Sequence, residues 1–379
     1  MNPHGYRVLI VGAGIAGLAV ARTLRSWGAS PEIIERAPAG RPDGLGIYLP
    51  GNAVAALETL GVAGMVSAAA VHIDRQVFLD HRGRPLADVA TEPVWRGVGP
   101  CLAMPRGALL RTLLDAIGDV PVRWATTPTA ITAGDVEVLV EFHDGRTGAY
   151  DLVIGADGVH SAVRRLVFGT AARPVGQYAW RFLVPWSDAE PVWTARLGRG
   201  TAFLTIPIDD RTLYCYCDAP AAASPPPLRT LFSGYAEPVP DLLDASDAAA
   251  GVHAGPVEEV ELPSWSRGSV SLIGDAAHAT SPNMAQGAAM ALEDAIELAA
   301  SLGEQPSTTT ALQHFETRRR PSTDWVLTQT HRRDRTRSLP APVRNLVLRH
   351  AGQRIYRGNY RPFLATPAGG STSQPQRPP

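Results

Sequence analysis

Residues 6–11 form a predominantly apolar run that ends in the glycine turn Gly12-Ala13-Gly14-Ile15-Ala16-Gly17 and passes directly into apolar residues at helical spacing. A second apolar run closes at Glu35, eighteen positions after Gly17. A strand, a tight turn, a helix and a second strand follow from this order, because a short apolar run bounded by turn residues suits a buried parallel strand and a 3.6-residue period suits the helix that covers it. Downstream, the pattern predicts helices over residues 52–60, stopped by Gly61, and over 106–117, where Leu109, Leu110, Leu113, Leu114 and Ile117 recur at helical spacing. Residues 122–124, 136–142 and 149–154 read as strands, the last two joined by a turn at Asp144-Gly145.

From residue 176 to 217 the period changes from helical to alternating, with aromatic and β-branched residues between frequent turns, and an antiparallel sheet is expected. An Ala/Pro/Ser-rich loop is predicted at 219–227, a helix at 228–246, and strands at 257–262 and 269–273. A second glycine turn then leads into an apolar helix at 287–302. Residues 309–337 read as an arginine-rich helix that Pro321 should break or kink, and 339–364 as a further short helix. Residues 365–379, rich in Pro, Gly, Ser, Thr and Gln, are expected to be disordered.

The chain has 379 residues, enough for about two domains. The nucleotide-type unit is therefore read as discontinuous, over 1–73, 98–175 and 262–330. A second domain occupies 74–97 and 176–261, and a C-terminal helical segment 331–364. The expected class is α/β with mixed α+β character: a Rossmann-like domain interrupted by an antiparallel-sheet domain.

Composition removes several functions. The net charge is −1, which gives no whole-chain case for nucleic acid or an anionic membrane. All 35 basic residues are arginine. The cluster Arg318, Arg319, Arg320, Arg332, Arg333, Arg335 and Arg337 reads as a solvated helix face, with a phosphate-attracting patch as the sharper alternative. Three cysteines, Cys101, Cys215 and Cys217, offer no zinc spacing and no disulfide framework, so no metal is expected and buried thiols in a reducing cytoplasm are. No signal-peptide pattern and no segment of membrane-spanning length is seen.

The glycine turn carries chemistry. Gly12 and Gly14 allow a tight turn and close approach to a pyrophosphate, Gly17 allows close helix–sheet packing, and the helix N-terminus offers free N–H groups to the anion. Glu35 is placed to accept hydrogen bonds from a ribose diol. Two later segments accompany it. Residues 151–164 are a buried-strand run ending in Asp157-Gly158, followed by Ser161 and Arg164; residues 270–295 run from a strand through Gly274-Asp275 and His278 to Pro282 and Gln286-Gly287-Ala288.

Over residues 6–325 these three segments, in this order and spacing, closely resemble the flavin-dependent monooxygenases of the p-hydroxybenzoate hydroxylase-like family, the single-component aromatic hydroxylases. The resemblance implies FAD, held at its pyrophosphate by Gly12, Gly14, Ala16 and Gly17, at its adenosine ribose by Glu35 with Arg36 beside the adenine, and by Gly46. Arg106 would reach the ribityl and phosphate region, Asp157 and Gly158 would serve both FAD and NAD(P)H, and Gly274 with Asp275 would hold the ribityl chain. Pro282 and Gln286-Gly287-Ala288 would border the flavin ring. NADH or NADPH is implied as a transient co-substrate, because no second glycine fingerprint is present. The implied reaction is hydride transfer to FAD, formation of a flavin C4a-hydroperoxide with O₂, and insertion of one oxygen atom into a small aromatic or heteroaromatic substrate. Epoxidation, Baeyer–Villiger insertion, and a non-redox cyclase or ligand-binding role are the rival readings. The halogenases' Trp-Ile-Pro signature and catalytic lysine are missing. Where the family often has glycine, this chain has Ala285, whose methyl limits the backbone angles available.

Residues 176–181, Gly-Gln-Tyr-Ala-Trp-Arg, resemble the strand that opens the family's substrate domain. Trp180 and Arg181 are candidates to stack on and orient a planar acid or phenolate; alternatively Trp180 packs the domain junction and Arg181 pairs with a carboxylate. Tyr214 and Tyr216 alternate with Cys215 and Cys217, so both rings share one strand face and are substrate candidates if that face lines the cleft. Arg181, Tyr214, Tyr216 and Pro282 are the candidate catalytic set; Phe203, Tyr48 and His72 are weaker pocket candidates. His278 is expected to pack or cap, and Glu293 and Asp294 to pair with arginine. The oligomeric state is left open.

Overall fold

In the computed structural model the described residues are 3–364 apart from 41–43, 135–136, 188, 223–225, 249–250 and 338. The expected disordered tail at 365–379 lies outside them, as does part of the 219–227 loop.

The first sheet has the order Ser266–Arg267, Val270–Leu272, Leu152–Gly155, Arg7–Val11, Ser30–Ile34, Val122–Arg123. All pairings are parallel except that of Ser266–Arg267 with its neighbour. Val8, Leu9, Ile10, Leu152, Val153 and Ile154 are wholly buried, as strands covered on both faces must be. The helix Ile15–Trp27 packs against Gly287–Glu304 on one side of this sheet. The strand expected over 149–154 is in fact two. Thr147–Tyr150 belongs to a three-stranded meander with Val138–Phe142 and Pro128–Ala133, and the chain changes sheets at Asp151, whose carboxylate accepts the Arg7 N–H at 2.7 Å.

The second sheet is built from His253–Glu259, Arg173–Pro185, Thr212–Pro220, Ala202–Pro207, Val192–Leu197, Arg75–Asp80 and Pro85–Ala90, in that spatial order. It is antiparallel at every pairing but one: Val192–Leu197 runs parallel to Arg75–Asp80, because the latter strand enters from an earlier excursion of the chain. One face is covered by the helices Leu228–Phe232 and Val239–Ala248. The single helix expected over 228–246 is divided between them, with Pro238 at the restart, where its missing N–H is harmless. The strand expected at 257–262 lies at His253–Glu259.

Two helices complete the molecule. Thr308–Arg337 is continuous through Pro321, so of the expected break or kink the break is not there, and the segment boundary at 330 falls inside a helix. Ala341–Leu364 has 24 residues and packs on Pro85–Ala90, with the Gly352 backbone so near Ala87 that a Cβ there would lie 2.5 Å from the Ala87 methyl. It forms a wall of the molecule where a short helix was expected.

Phe232 anchors the covered face of the second sheet. It is fully buried and meets the rings of Phe203 at 5.4 Å and Tyr235 at 5.0 Å. Phe232→Ala is expected to lower stability by about 3–5 kcal/mol in denaturant unfolding while leaving the parallel-sheet elements unchanged in circular dichroism.

Candidate active site

The glycine turn closes on itself by steric necessity. Gly12 has φ +110°, and a Cβ there would lie 2.5 Å from the Ala156 carbonyl oxygen; one at Gly17 would lie 1.8 Å from the Gly12 oxygen. A Cβ at Gly14 would meet nothing within 4 Å, so the space in front of that residue is open. The helix Ile15–Trp27 has no side-chain cap and no acid in its first turn, which leaves its N–H groups directed at that space. The Glu35 carboxylate accepts the Ala13 N–H at 2.9 Å and the Ala37 N–H at 2.8 Å, so it shapes the turn and keeps lone pairs for a further donor. Arg36 is exposed beside it, and Ala16 packs under the second glycine turn, 3.1 Å from where a Gly274 Cβ would stand.

The turn at Gly274-Asp275 is held from behind. The Asp294 carboxylate accepts the Gly274 N–H at 2.8 Å and the Arg319 Nε–H at 2.8 Å, and lies 2.6 Å from His278 Nε2. Arg319 also reaches Glu293 at 2.8 Å. Burial works against the charge on Asp294, but His278 and Arg319 outweigh it and hold its carboxyl below the ordinary range. His278, Glu293 and Asp294 are thus structural partners. Asp275, by contrast, is ringed by protein yet open to a cavity. Burial raises its pKa, with His278 and Arg106 opposing. Arg106 starts the helix Arg106–Ala116, and its side chain runs under Gly44.

Asp157 is turned inward: its carboxylate accepts the Ala162 N–H at 2.6 Å and the Val163 N–H at 3.2 Å, and burial raises its pKa. Its other oxygen is buried, the Ser161 side chain opposes the effect of burial on the carboxyl, and Gly158 follows at φ +76°. Gln286 exchanges hydrogen bonds with Asn52 at 2.9 and 3.1 Å, so its side chain clamps the loop while Pro282, Ala285, Gly287 and Ala288 form cavity wall. Ala285 sits at φ +51°, a left-handed conformation in which its methyl is strained.

The cavity, about 1010 Å³, lies between these turns, the open face of the second sheet and the two C-terminal helices. Arg181, Tyr214 and Tyr216 line it, as do Gly46 and Tyr48. Gly46 is where the lobes touch: a Cβ there would fall 2.5 Å from Tyr214 Cβ. The Arg181 guanidinium lies 5.2 Å from the Tyr216 ring centroid. Burial pushes the Tyr214 hydroxyl up to about 12, with Arg181 opposing, and raises that of Tyr216 well above its ordinary value, so both remain hydrogen-bond donors at neutral pH.

Three candidates are corrected. Adjacent strand residues face opposite ways, so Trp180 and Arg181 cannot share a site. Trp180 and Phe203 lie on the covered face with Phe182 and Phe232, away from the cavity, and His72 is exposed on the strand Val71–His72. The arginine cluster is not a simple solvated face either: Arg319 is buried in the Asp294 network, and Arg337 pairs with buried Asp218 at the cavity wall beside Arg332 and Arg333. The Asp218–Arg337 pair was missed. Its signal was a lone carboxylate in the alternating strand Thr212–Pro220, which demands a cation. Gln76, bonded to the Tyr48 hydroxyl at 2.7 Å, and Trp193 were also missed, because nothing local marks them.

The sequence pattern of the family described as "FAD binding domain" matches residues 5–330. The chain belongs to the FAD-binding monooxygenase family. It is 33% identical over 323 residues to the aurachin C monooxygenase/isomerase of Stigmatella aurantiaca, covering 82% of this chain and 84% of that one. It is 36% identical over 323 residues to the 2-heptyl-3-hydroxy-4(1H)-quinolone synthase of Pseudomonas aeruginosa, covering 77% and 79%. Among solved structures, Klebsiella pneumoniae HpxO complexed with FAD and uric acid matches with a TM-score of 0.86 and 26% identity, over 96% of this chain and 98% of that one. The protein is an FAD-dependent monooxygenase, and the open space before Gly14 and the cavity-facing Asp275 suit the cofactor. No helix among the described residues is long and apolar enough to cross a membrane.

The Asp294 network gives a stability test for this monooxygenase. Asp294→Asn leaves buried Arg319 with only the half-buried Glu293 carboxylate and should cost about 3 kcal/mol at pH 7. Because the folded carboxyl titrates below its unfolded value, the pairing is fully present above the ordinary aspartate pKa of about 3.9 and is lost as pH falls further. The stability gap between wild type and variant, measured by thermal unfolding, should therefore narrow below about pH 4.

Proposed function

We propose that this monooxygenase inserts one oxygen atom from O₂ into a heteroaromatic ring that carries an extended apolar substituent, with NADH or NADPH as reductant. One observation carries the reading. Strand register places Arg181, Tyr216, Leu204, Ala195, Phe78 and Ala87 side by side across the second sheet, all of them in the cavity wall. At about 4.8 Å per strand this row spans roughly 24 Å. Its first two members are polar and lie beside Tyr214 and Gly46; the remaining four are apolar. A flat polar head with an apolar tail matches that gradient. The naming of an alkylquinolone product in one relative agrees with it.

In this reading Gly12, Gly14 and Gly17 would hold the FAD pyrophosphate, Glu35 the ribose, and Arg106 with Asp275 the ribityl chain. Bound FAD supplies hydride acceptance and O₂ activation. The chain supplies the rest. The N-terminus of the helix Gly287–Glu304 would direct its positive dipole toward a flavin held beside Pro282 and so favour negative charge on it. Arg181 draws electron density toward the substrate's ring oxygen, while the Tyr214 and Tyr216 hydroxyls donate to it and fix the ring's orientation. Phe78, Trp193 and Ile206 exclude water from the reacting centre.

Two outcomes are expected. With a series of 2-alkylquinolones, NAD(P)H should bleach the flavin's visible band anaerobically, and apparent affinity should rise about fourfold per added methylene until the row is filled. Ala195→Phe should abolish that chain-length gain and leave the short-chain member unaffected. Affinity independent of chain length would reject the tail, and no bleaching with any ring compound would favour the non-redox rival. For the cofactor, Gly14→Ala should retain little FAD, as read from the ratio of visible to ultraviolet absorbance, while its FAD-free form melts at the same temperature as FAD-free wild type. Full occupancy would remove Gly14 from the pyrophosphate site.

A further inference from the structure

Five of the nine exposed large apolar side chains among the described residues fall in one short stretch: Leu339, Val343, Leu346, Val347 and Ile355. The other four are scattered singly over the surface, as is ordinary for a globular protein. The stretch enters the helix Ala341–Leu364, whose opposite face is committed to the protein through Gly352, Tyr356 and Tyr360. On its solvent side, Val343 and Val347 begin a stripe that continues at three- and four-residue spacing through His350, Arg354, Arg357 and Arg361. Leu346, 58% exposed, flanks the first turns of that stripe.

Charge is segregated in the same place. The helix holds five arginines and no acid, while the rest of the chain holds 30 arginines and all 36 acids. Arg344 is buried and donates to the Leu197 and Gly198 carbonyls. The other four, Arg349, Arg354, Arg357 and Arg361, are exposed, and none is paired with a carboxylate among the described residues. Arg349 donates to the Pro85 carbonyl and Arg357 to the Pro93 carbonyl, both at 3.3 Å, and neither contact neutralises the charge.

The patch is also continuous with the substrate cavity. Leu339, Val347 and Ile355 are at once exposed and part of the cavity lining, so the apolar residues form part of its rim. We propose that the solvent face of the helix Ala341–Leu364 docks on a bilayer bearing anionic lipid headgroups, which sets the cavity mouth against the membrane surface. Arginines meet the headgroup phosphates, and the apolar side chains enter the acyl boundary. Nucleic acid would use the arginines and leave the apolar residues in water. A second protein seated over the rim would block entry to the cavity, whereas a fluid bilayer leaves it open and dissolves apolar molecules near it. The helix lies along the surface and does not span, since its inner face is packed on the fold. Docking of this kind rests on surface residues and does not require the alkyl-substituted substrate proposed above.

The test uses the FAD-loaded full chain and sedimentation with vesicles of phosphatidylcholine alone or doped with phosphatidylglycerol. Binding is expected only with phosphatidylglycerol, and should weaken as salt is raised. The triple variant Arg354→Gln, Arg357→Gln, Arg361→Gln should reduce the partition coefficient by roughly a hundredfold. The pair Val343→Asp, Leu346→Asp, neither residue lining the cavity, should abolish binding with FAD content and melting temperature unchanged. Absence of binding to anionic vesicles, or binding that both variants retain, would overturn the proposal. So would a concentration-dependent dimer in analytical ultracentrifugation that the Val343→Asp, Leu346→Asp pair disperses, since the patch would then be an interface between copies.

Discussion

A fully buried carboxylate, Asp294, ties together the parts on which the site depends. An unpaired charge in that position would cost far more than the fold could sustain, so every donor around it is fixed in place. Its partners come from different elements: the Gly274 N–H of the second glycine turn, His278 just beyond that turn, and Arg319 from the helix Thr308–Arg337. The same contacts that satisfy Asp294 therefore set the cavity-facing direction of Asp275 and anchor the helix whose later turns supply Arg332, Arg333 and Arg337 to the opposite wall.

A second constraint is the two-residue period of the strand Thr212–Pro220. Cys215 and Cys217 go to the apolar layer under the helices Leu228–Phe232 and Val239–Ala248, and Tyr214, Tyr216 and Asp218 go to the cavity. The neighbouring strands repeat the division in register, which turns the sheet's open face into a continuous wall whose polarity falls from Arg181 to Ala87. Asp218 would be an isolated charge in that wall without Arg337. The arginine-rich helix is thus part of the cavity's electrostatics as well as its boundary.

The functional picture joins these two constraints. One lobe presents backbone donors and carboxylates suited to a dinucleotide, the other presents a graded wall suited to a substrate with unlike ends, and Gly46 against Tyr214 is the point at which they meet. The C-terminal helix closes the apolar end of that wall and carries, on its outer face, exposed apolar residues and arginines paired with no carboxylate among the described residues.

Local geometry explains what could be read directly. The turn at Gly12, Gly14 and Gly17 requires residues without side chains at close backbone contacts, and the shared face of Tyr214 and Tyr216 follows from strand period; both are properties of a few consecutive residues. The pairing of Glu293 and Asp294 with an arginine was likewise legible, because a carboxylate in an apolar helix needs a cation. Which arginine was not, since Arg319 is twenty-five residues from Asp294 in the chain. Trp180 and Phe203 were misplaced for a related reason: their strands were legible, but which face meets the cavity depends on the covering helices. Pro321 was read as a break or kink from its own missing N–H, and the surrounding contacts of Arg319, Arg320 and Thr323 keep the helix unbroken across it. The sequence by itself determined the dinucleotide turn, the family and the alternation of the substrate strands, because these rest on backbone sterics and short periods. Only the tertiary structure decided which faces line the cavity, which charges pair and that the last helix walls the site, because burial and long-range pairing are set by elements far apart in the chain.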